Sequence, residues 1–162
     1  MRLSECIIVN APPQLVWDYV TDPDNSLRFM SGITRWEVEG DKRTGLGARY
    51  RMLMRVGSAE MGGLVEVVEF SAPRDMAWSS ITGVDQRGRW RLRRAGGGRT
   101  KVEFRFAYGV AGSGITGYIA EHVAAPLVRN HLRRSLQQLR REAQHEHMRQ
   151  QAAARQAERQ PA

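Results

Sequence analysis

Cysteine is almost absent from this 162-residue chain, and Cys6 stands alone. No intramolecular disulfide can form, and no cysteine cluster can hold zinc. A single thiol fits a reducing compartment. Its place in the apolar run Cys6-Ile7-Ile8-Val9 predicts burial by packing. Long apolar runs are missing too, since none reaches the roughly 20 residues that span a bilayer. Met1 to Val9 has neither the apolar core nor the cleavage site of a signal peptide, so a cytoplasmic location is expected. Metal and phosphate motifs are also lacking. His122 has Pro126, not a ligand, at i+4, and His145 and His147 do not share a helix face. Gly96-Gly97-Gly98 is followed by no Lys-Ser/Thr in phosphate-loop register, and reads as a hairpin turn. Gly112-Ser113-Gly114 lacks the strand–turn–helix order of a nucleophile elbow, so Ser113 is expected at a helix entry. No cofactor and no metal are predicted.

What is present is basic and patterned. The net charge is +8 and the pI about 10.7, with 41% apolar residues. This suits one globular domain with a sizeable core. Arg2 to Asn10 reads as a strand. Pro12-Pro13 suits the first turn of a helix carrying Leu15, Val16, Tyr19 and Val20 at helical spacing. Thr21 to Asn25 breaks it, and Asp24 or Asn25 is placed to cap a second short helix through Met30. From Ile33 the period becomes two, over Ile33–Glu39, Ala48–Val56, Leu64–Phe70, Met76–Thr82, Gly88–Arg94 and Thr100–Tyr108. Turn compositions between these runs favour an antiparallel meander.

A long helix follows, from about Gly114 to Arg141. Ile115, Ile119, His122, Val123 and Pro126 share one face at about 100° per residue. Val128, Leu132, Leu136, Leu139 and Ala143 share another, and a kink near Pro126 would let both face a sheet. Residues 1–144 are read as the domain. Residues 145–162 are read as a polar basic tail, a frayed helix or disordered. The fold class is α+β: a curved seven-stranded antiparallel sheet gripping a long C-terminal helix, with two short helices after the first strand.

Strand alternation sorts the charge. Tyr50, Met52 and Met54 oppose Arg49, Arg51 and Arg55. Trp90 opposes Arg87, Arg89, Arg91 and Arg93, and Phe104, Phe106 and Tyr108 oppose Lys101, Glu103 and Arg105. The arginines read either as a solvated outer face or as a surface docking on anionic lipid headgroups. Aromatic side chains do not interleave with them, so no nucleic-acid partner is expected. The inner set, Tyr50, Met52, Met54, Trp78, Trp90, Phe104, Phe106 and Tyr108, is richer in aromatics and methionine than an ordinary aliphatic core.

Four segments carry a resemblance. Ile7 to Asp22 looks like the opening of the polyketide cyclase/dehydrase and lipid-transport superfamily, also called START-like or SRPBCC. Gly45-Leu46-Gly47-Ala48-Arg49-Tyr50 resembles its Gly-x-Gly strand entry, and Glu66 to Trp78 its strand–turn–strand segment. Pro126 to Leu139 resembles its closing helix. The resemblance covers about residues 2–142. It implies a helix-grip fold with a deep cavity between sheet and helix, and a lipophilic ligand such as a lipid, sterol or aromatic polyketide.

On that reading the ligand-lining residues are the inner set with Ser80, Ile119 and His122. His122 reads as a packed core histidine or as a ligand hydrogen-bonder and general acid/base, with Tyr50, Tyr108 and Ser80 orienting a carbonyl or phenol beside it. Glu66 and Glu69, three apart, face opposite ways in an unbroken strand; a β-bulge at Val67-Val68 would turn both outward. Three functions compete. One is binding or carrying a lipophilic small molecule. Another is polyketide cyclase or dehydratase chemistry, placed in doubt by arginines that fall outside. The third is lipid exchange at an anionic membrane surface.

Overall fold

The computed structural model describes residues 1–109 and 115–159, with the backbone alone over 115–124. Seven strands follow in chain order: β1 (Arg2–Val9), β2 (Ile33–Glu39), β3 (Arg49–Val56), β4 (Ala59–Ser71), β5 (Asp75–Ser80), β6 (Gln86–Ala95) and β7 (Arg99–Tyr108). Helices α1 (Pro13–Thr21) and α2 (Ser26–Phe29) lie between β1 and β2, and α3 (Ile115–Glu158) closes the chain. The strands form one antiparallel sheet in the order β1-β7-β6-β5-β4-β3-β2. Short turns join β2 through β7 in sequence. The first strand closes back on the last, so α1 and α2 are carried to the end of the sheet where α3 passes.

Local chemistry explains the helix entries. Pro12 stands at the N-cap of α1 and Pro13 begins it, where a missing N–H costs nothing. Neither Asp24 nor Asn25 caps α2 with its side chain. Asp22 instead caps a single 3-10 turn by accepting from the Asp24 N–H at 3.0 Å, and Asn25 Nδ2 donates to the Tyr19 carbonyl at 3.2 Å.

The strand β4 starts five residues earlier than the Leu64 expected from sequence. Gly62-Gly63 looks like a breaker in the sequence, yet here glycine admits a close backbone crossing. A Cβ on Gly63 would lie 2.0 Å from the Thr82 carbonyl oxygen.

On α3 the stripe Val128, Leu132, Leu136, Leu139 and Ala143 is buried to 2% exposure or less. It runs along β1, with Arg133 3.2 Å from Glu5 near one end and Gln144 accepting from the Asn10 N–H near the other. Pro126, expected on a sheet-facing stripe, is exposed inside a helix that continues through it. Beyond His147, where fraying or disorder was expected, the chain stays helical to Glu158, with every described residue from Met148 on exposed. A helix outlasts its packing here because this Gln-, Ala- and Arg-rich stretch has good intrinsic propensity.

The outer face is a lattice of cross-strand ion pairs. Arg49 meets Glu66 at 2.7 Å, Arg51 meets Glu39 at 3.2 Å and Arg55 meets Glu60 at 3.4 Å. Arg89 pairs with Glu69, and Arg91 and Arg93 share Asp75, each at 3.0 Å. Such solvated pairs contribute about 0–1 kcal/mol each. Their larger effect is to neutralise a face that looks uniformly basic in sequence. Cys6, expected to be buried, lies on this face and is exposed. Alternation along the edge strand puts Ser4, Cys6 and Ile8 out and Leu3, Ile7 and Val9 in, so the apolar run does not bury as a block.

Candidate functional site

The inner wall is a connected set of rings. Trp36 stacks on Tyr50 with centroids 5.1 Å apart, and meets Trp78 edge-to-face at 5.7 Å. Trp78 reaches Phe104 at 6.1 Å, and Phe104 stacks on Trp90 at 3.9 Å with planes 12° apart. Phe29 of α2 continues the series against Trp90, and Phe104, Phe106 and Tyr108 run along β7. Tyr50, Met52, Met54, Trp78, Trp90, Phe104, Phe106 and Tyr108 are all buried, and Ser80 is half-buried. Alternation therefore brings eight of the sequence-derived lining residues onto one wall. Ile119 and His122 have side chains outside the described residues.

Gly88 fits this wall together. It stands opposite Trp78, and a Cβ there would lie 2.0 Å from the indole Cζ2. The indole thus lies against the β6 backbone, in space that any larger residue would take.

Two hydroxyls of the expected site are engaged elsewhere. The Tyr50 hydroxyl donates to the Arg43 carbonyl at 2.7 Å, and burial pushes its pKa up. It stays protonated and holds the β2–β3 loop, so its proton is already committed. The Ser80 Oγ accepts from the Gln86 N–H at 3.1 Å, closing the β5–β6 turn.

Neither Glu66 nor Glu69 enters this wall. A register shift between Val67 and Glu69 leaves Val68 as a bulged residue, 53% exposed. Glu66 and Glu69 both face outward, onto Arg49 and Arg89. Of the two arrangements open in the sequence, the bulge is the one formed.

Sequence reasoning missed three inner residues and two contacts of α3. Trp36 follows from the alternation Thr34-Trp36-Val38 against Arg35-Glu37-Glu39. Gln86 was read as part of a turn, yet it continues the inward series of Gly88, Trp90 and Leu92 and is 3% exposed. Phe29, on the one-turn helix α2, leaves no periodic signal. On the edge, Glu5 accepts Arg129 at 3.7 Å and Arg133 at 3.2 Å. His131 has Nδ1 3.2 Å from the Ser31 hydroxyl, and its ring bonds the Arg55 backbone. Ser135 links the same two segments, accepting from the Ser31 N–H at 2.9 Å. Burial holds the His131 pKa below the ordinary histidine value. These groups latch α3 to the loop before β2.

Among the described residues, no group of three His, Cys, Asp or Glu side chains is placed to hold a metal ion. No described helix is long and apolar enough to cross a membrane. An open groove of about 750 Å³ lies on the outer face, with Arg2, Arg87, Arg89 and Arg105 around it. Glu69 and Glu103 neutralise two of those four arginines.

A family model described as "Polyketide cyclase / dehydrase and lipid transport" matches residues 1–144. The chain belongs to that family. Its solved neighbours share the helix-grip fold at low identity. A protein from Thermus thermophilus superposes with a TM-score of 0.76 at 18% identity, covering 88% of this chain and 97% of its own. The Zhui aromatase/cyclase from a Streptomyces species gives 0.73 at 20% identity, over 88% and 93% of the two chains. A START superfamily protein from Mycobacterium smegmatis gives 0.64 at 13%, over 83% and 93%. No curated protein matches. The family member thus grips its long helix with a wall of rings, and keeps Arg49, Arg51, Arg55, Arg87, Arg89, Arg91, Arg93 and Arg105 on the far side of the sheet.

Proposed function

We propose that this family member binds a lipophilic small molecule between the aromatic wall and α3. The carrying observation is the unbroken ring series from Tyr50 through Trp36, Trp78 and Phe104 to Trp90, with Arg49, Arg51, Arg55, Arg87, Arg89, Arg91, Arg93 and Arg105 on the opposite face. Flat, polarisable rings match flat or polycyclic ligands, and burial of apolar area supplies affinity at about 25 cal/mol per Å². The family description and the folds of an aromatase/cyclase and a START protein support the same ligand class. The ligand-lining residues proposed are Tyr50, Met52, Met54, Trp78, Trp90, Phe104, Phe106 and Tyr108, with Trp36 and Gln86 added and Ser80 at the rim.

Native mass spectrometry of the purified protein, followed by organic extraction, tests this reading. A bound lipophile, absent from a Phe104→Arg variant that keeps the wild-type circular dichroism spectrum, is the expected result. The reading fails if nothing co-purifies and a panel of sterols, fatty acids and polycyclic aromatics leaves the tryptophan fluorescence unchanged.

A further inference from the structure

Three buried N–H donors on the inner wall have no acceptor among the described residues: Trp36 Nε1, Trp78 Nε1 and Gln86 Nε2. Their residues are 7%, 1% and 3% exposed. Native proteins pair nearly all buried polar groups, because an orphaned donor forfeits its hydration without return. Three such donors on one wall are therefore a pattern that calls for a partner.

They also stand close together. The Trp36 and Trp78 rings touch edge-to-face, at 84°. Trp78 opposes Gly88 on β6, and Gln86 is the next inward residue along that strand. Gln86 in turn lies opposite Tyr108 on β7. Cross-strand diagonal neighbours of this kind sit about 7–8 Å apart, within the span of one tricyclic molecule.

Resting on the ligand reading above, we infer that Trp36, Trp78 and Gln86 form a donor cluster that selects a neutral, oxygenated lipophile, one whose carbonyl oxygens accept these N–H groups. Indole nitrogen donates only, so the complementary ligand atom is an acceptor. A hydrocarbon leaves the donors unpaired and gains no advantage from them. A carboxylate pays for losing its hydration, and the arginines beside these donors on β6, Arg87 and Arg89, face the other way. A ketone or quinone oxygen satisfies the donors at the smallest desolvation cost.

The test compares three probes of one shape: fluorene, fluorenone and a fluorenone carboxylate. Affinities come from tryptophan quenching. Indole N–H resonances come from nitrogen–proton correlation spectra, assigned with Trp36→Phe and Trp78→Phe. Fluorenone is expected to bind about tenfold tighter than either other probe, the worth of one well-made buried hydrogen bond. The Trp36 or Trp78 indole signal moves downfield, while that of Trp17, outside the lining, holds. Gln86→Leu narrows the preference for fluorenone over fluorene. Fluorene binding as tightly as fluorenone, or unmoved Trp36 and Trp78 signals in the fluorenone complex, overturns the donor cluster and leaves the lipophile reading standing. Tighter binding of the carboxylate overturns the neutral class. A protein that takes up none of the three, nor any lipophile of the wider panel, overturns both readings.

Discussion

Replacing Gly88 by alanine probes how firmly the inner wall is set. A Cβ at Gly88 would lie 2.0 Å from Trp78 Cζ2, 2.2 Å from Cε2 and 2.5 Å from Cη2. Carbon atoms in contact prefer about 3.5–4.0 Å, so the indole must retreat by roughly 1.5 Å. It would retreat among Trp36 and Phe104, which are themselves buried and in ring contact with it. Gly88 has no left-handed backbone, so the penalty is steric. Overpacking of this kind costs about 1–3 kcal/mol, offset in part by roughly 0.4–1 kcal/mol from a stiffer unfolded chain. For a chain of this size, each kcal/mol moves Tm by roughly 2–4 °C, so the net cost lowers Tm by up to roughly 10 °C. The control is Gly96→Ala, which meets no atom within 4 Å and whose backbone is not left-handed. It should hold or slightly raise Tm. Urea titration, with near-ultraviolet circular dichroism to follow the Trp36–Trp78 contact, reads both variants. A Gly88→Ala protein within about 0.5 kcal/mol of wild type, with an unchanged near-ultraviolet spectrum, would refute the packing argument.

Two further outcomes follow from the same geometry. Burial lowers the folded pKa of His131 below its ordinary 6.5, so on acidification the unfolded chain takes up the proton first. The His131 contribution is constant above about pH 6.5 and is lost as pH falls through the window beneath it; thermal melts of wild type and His131→Gln should diverge in that pH dependence, and parallel curves would sink the idea. Deleting Val68 removes the bulge but leaves Glu66 and Glu69 two apart, so plain alternation keeps both outward and Phe70 against Trp17, its edge-on neighbour at 5.0 Å. Both variants should therefore fold, the deletion within about 1–3 kcal/mol and Val68→Ser within about 0.5 kcal/mol of wild type, as measured by denaturant midpoints; a deletion protein that fails to fold would show the bulge to be indispensable.

The main features of the fold were legible because two periodicities carry them. Alternation along β3, β6 and β7 separated rings from arginines correctly, and the heptad-like stripe on α3 named every apolar residue from Val128 to Ala143 that is buried there, missing only the buried Ser135. What stayed hidden depends on a partner strand or on a break in period. Whether Glu66 or Glu69 turned inward rested on a bulge, which is a relation between β4 and β5 rather than a property of either. Gln86 looked like the end of a turn because polar residues next to Gly-Val-Asp usually are. Cys6 was misplaced because an apolar run on an edge strand still alternates. The arginine-rich face looked like a field of bare charge until the strand order put Glu39, Glu66, Glu69 and Asp75 beside it.

The strand order also sets a timetable. Each pairing from β2 to β7 joins neighbours in the chain, so the meander can zip as it emerges. The first strand cannot, since its partners in β7 lie between 91 residues away (Val9 with Thr100) and 105 residues away (Arg2 with Ala107). Closing so long a loop is entropically costly before any contact rewards it. During synthesis Ile7, Ile8 and Val9 therefore wait, unpaired and apolar, until almost the whole sheet exists, and α3, which packs along that same strand, comes off the ribosome later still. The first strand of the sheet to be made is among the last to find its place, and it is the stretch a chaperone would have most reason to hold.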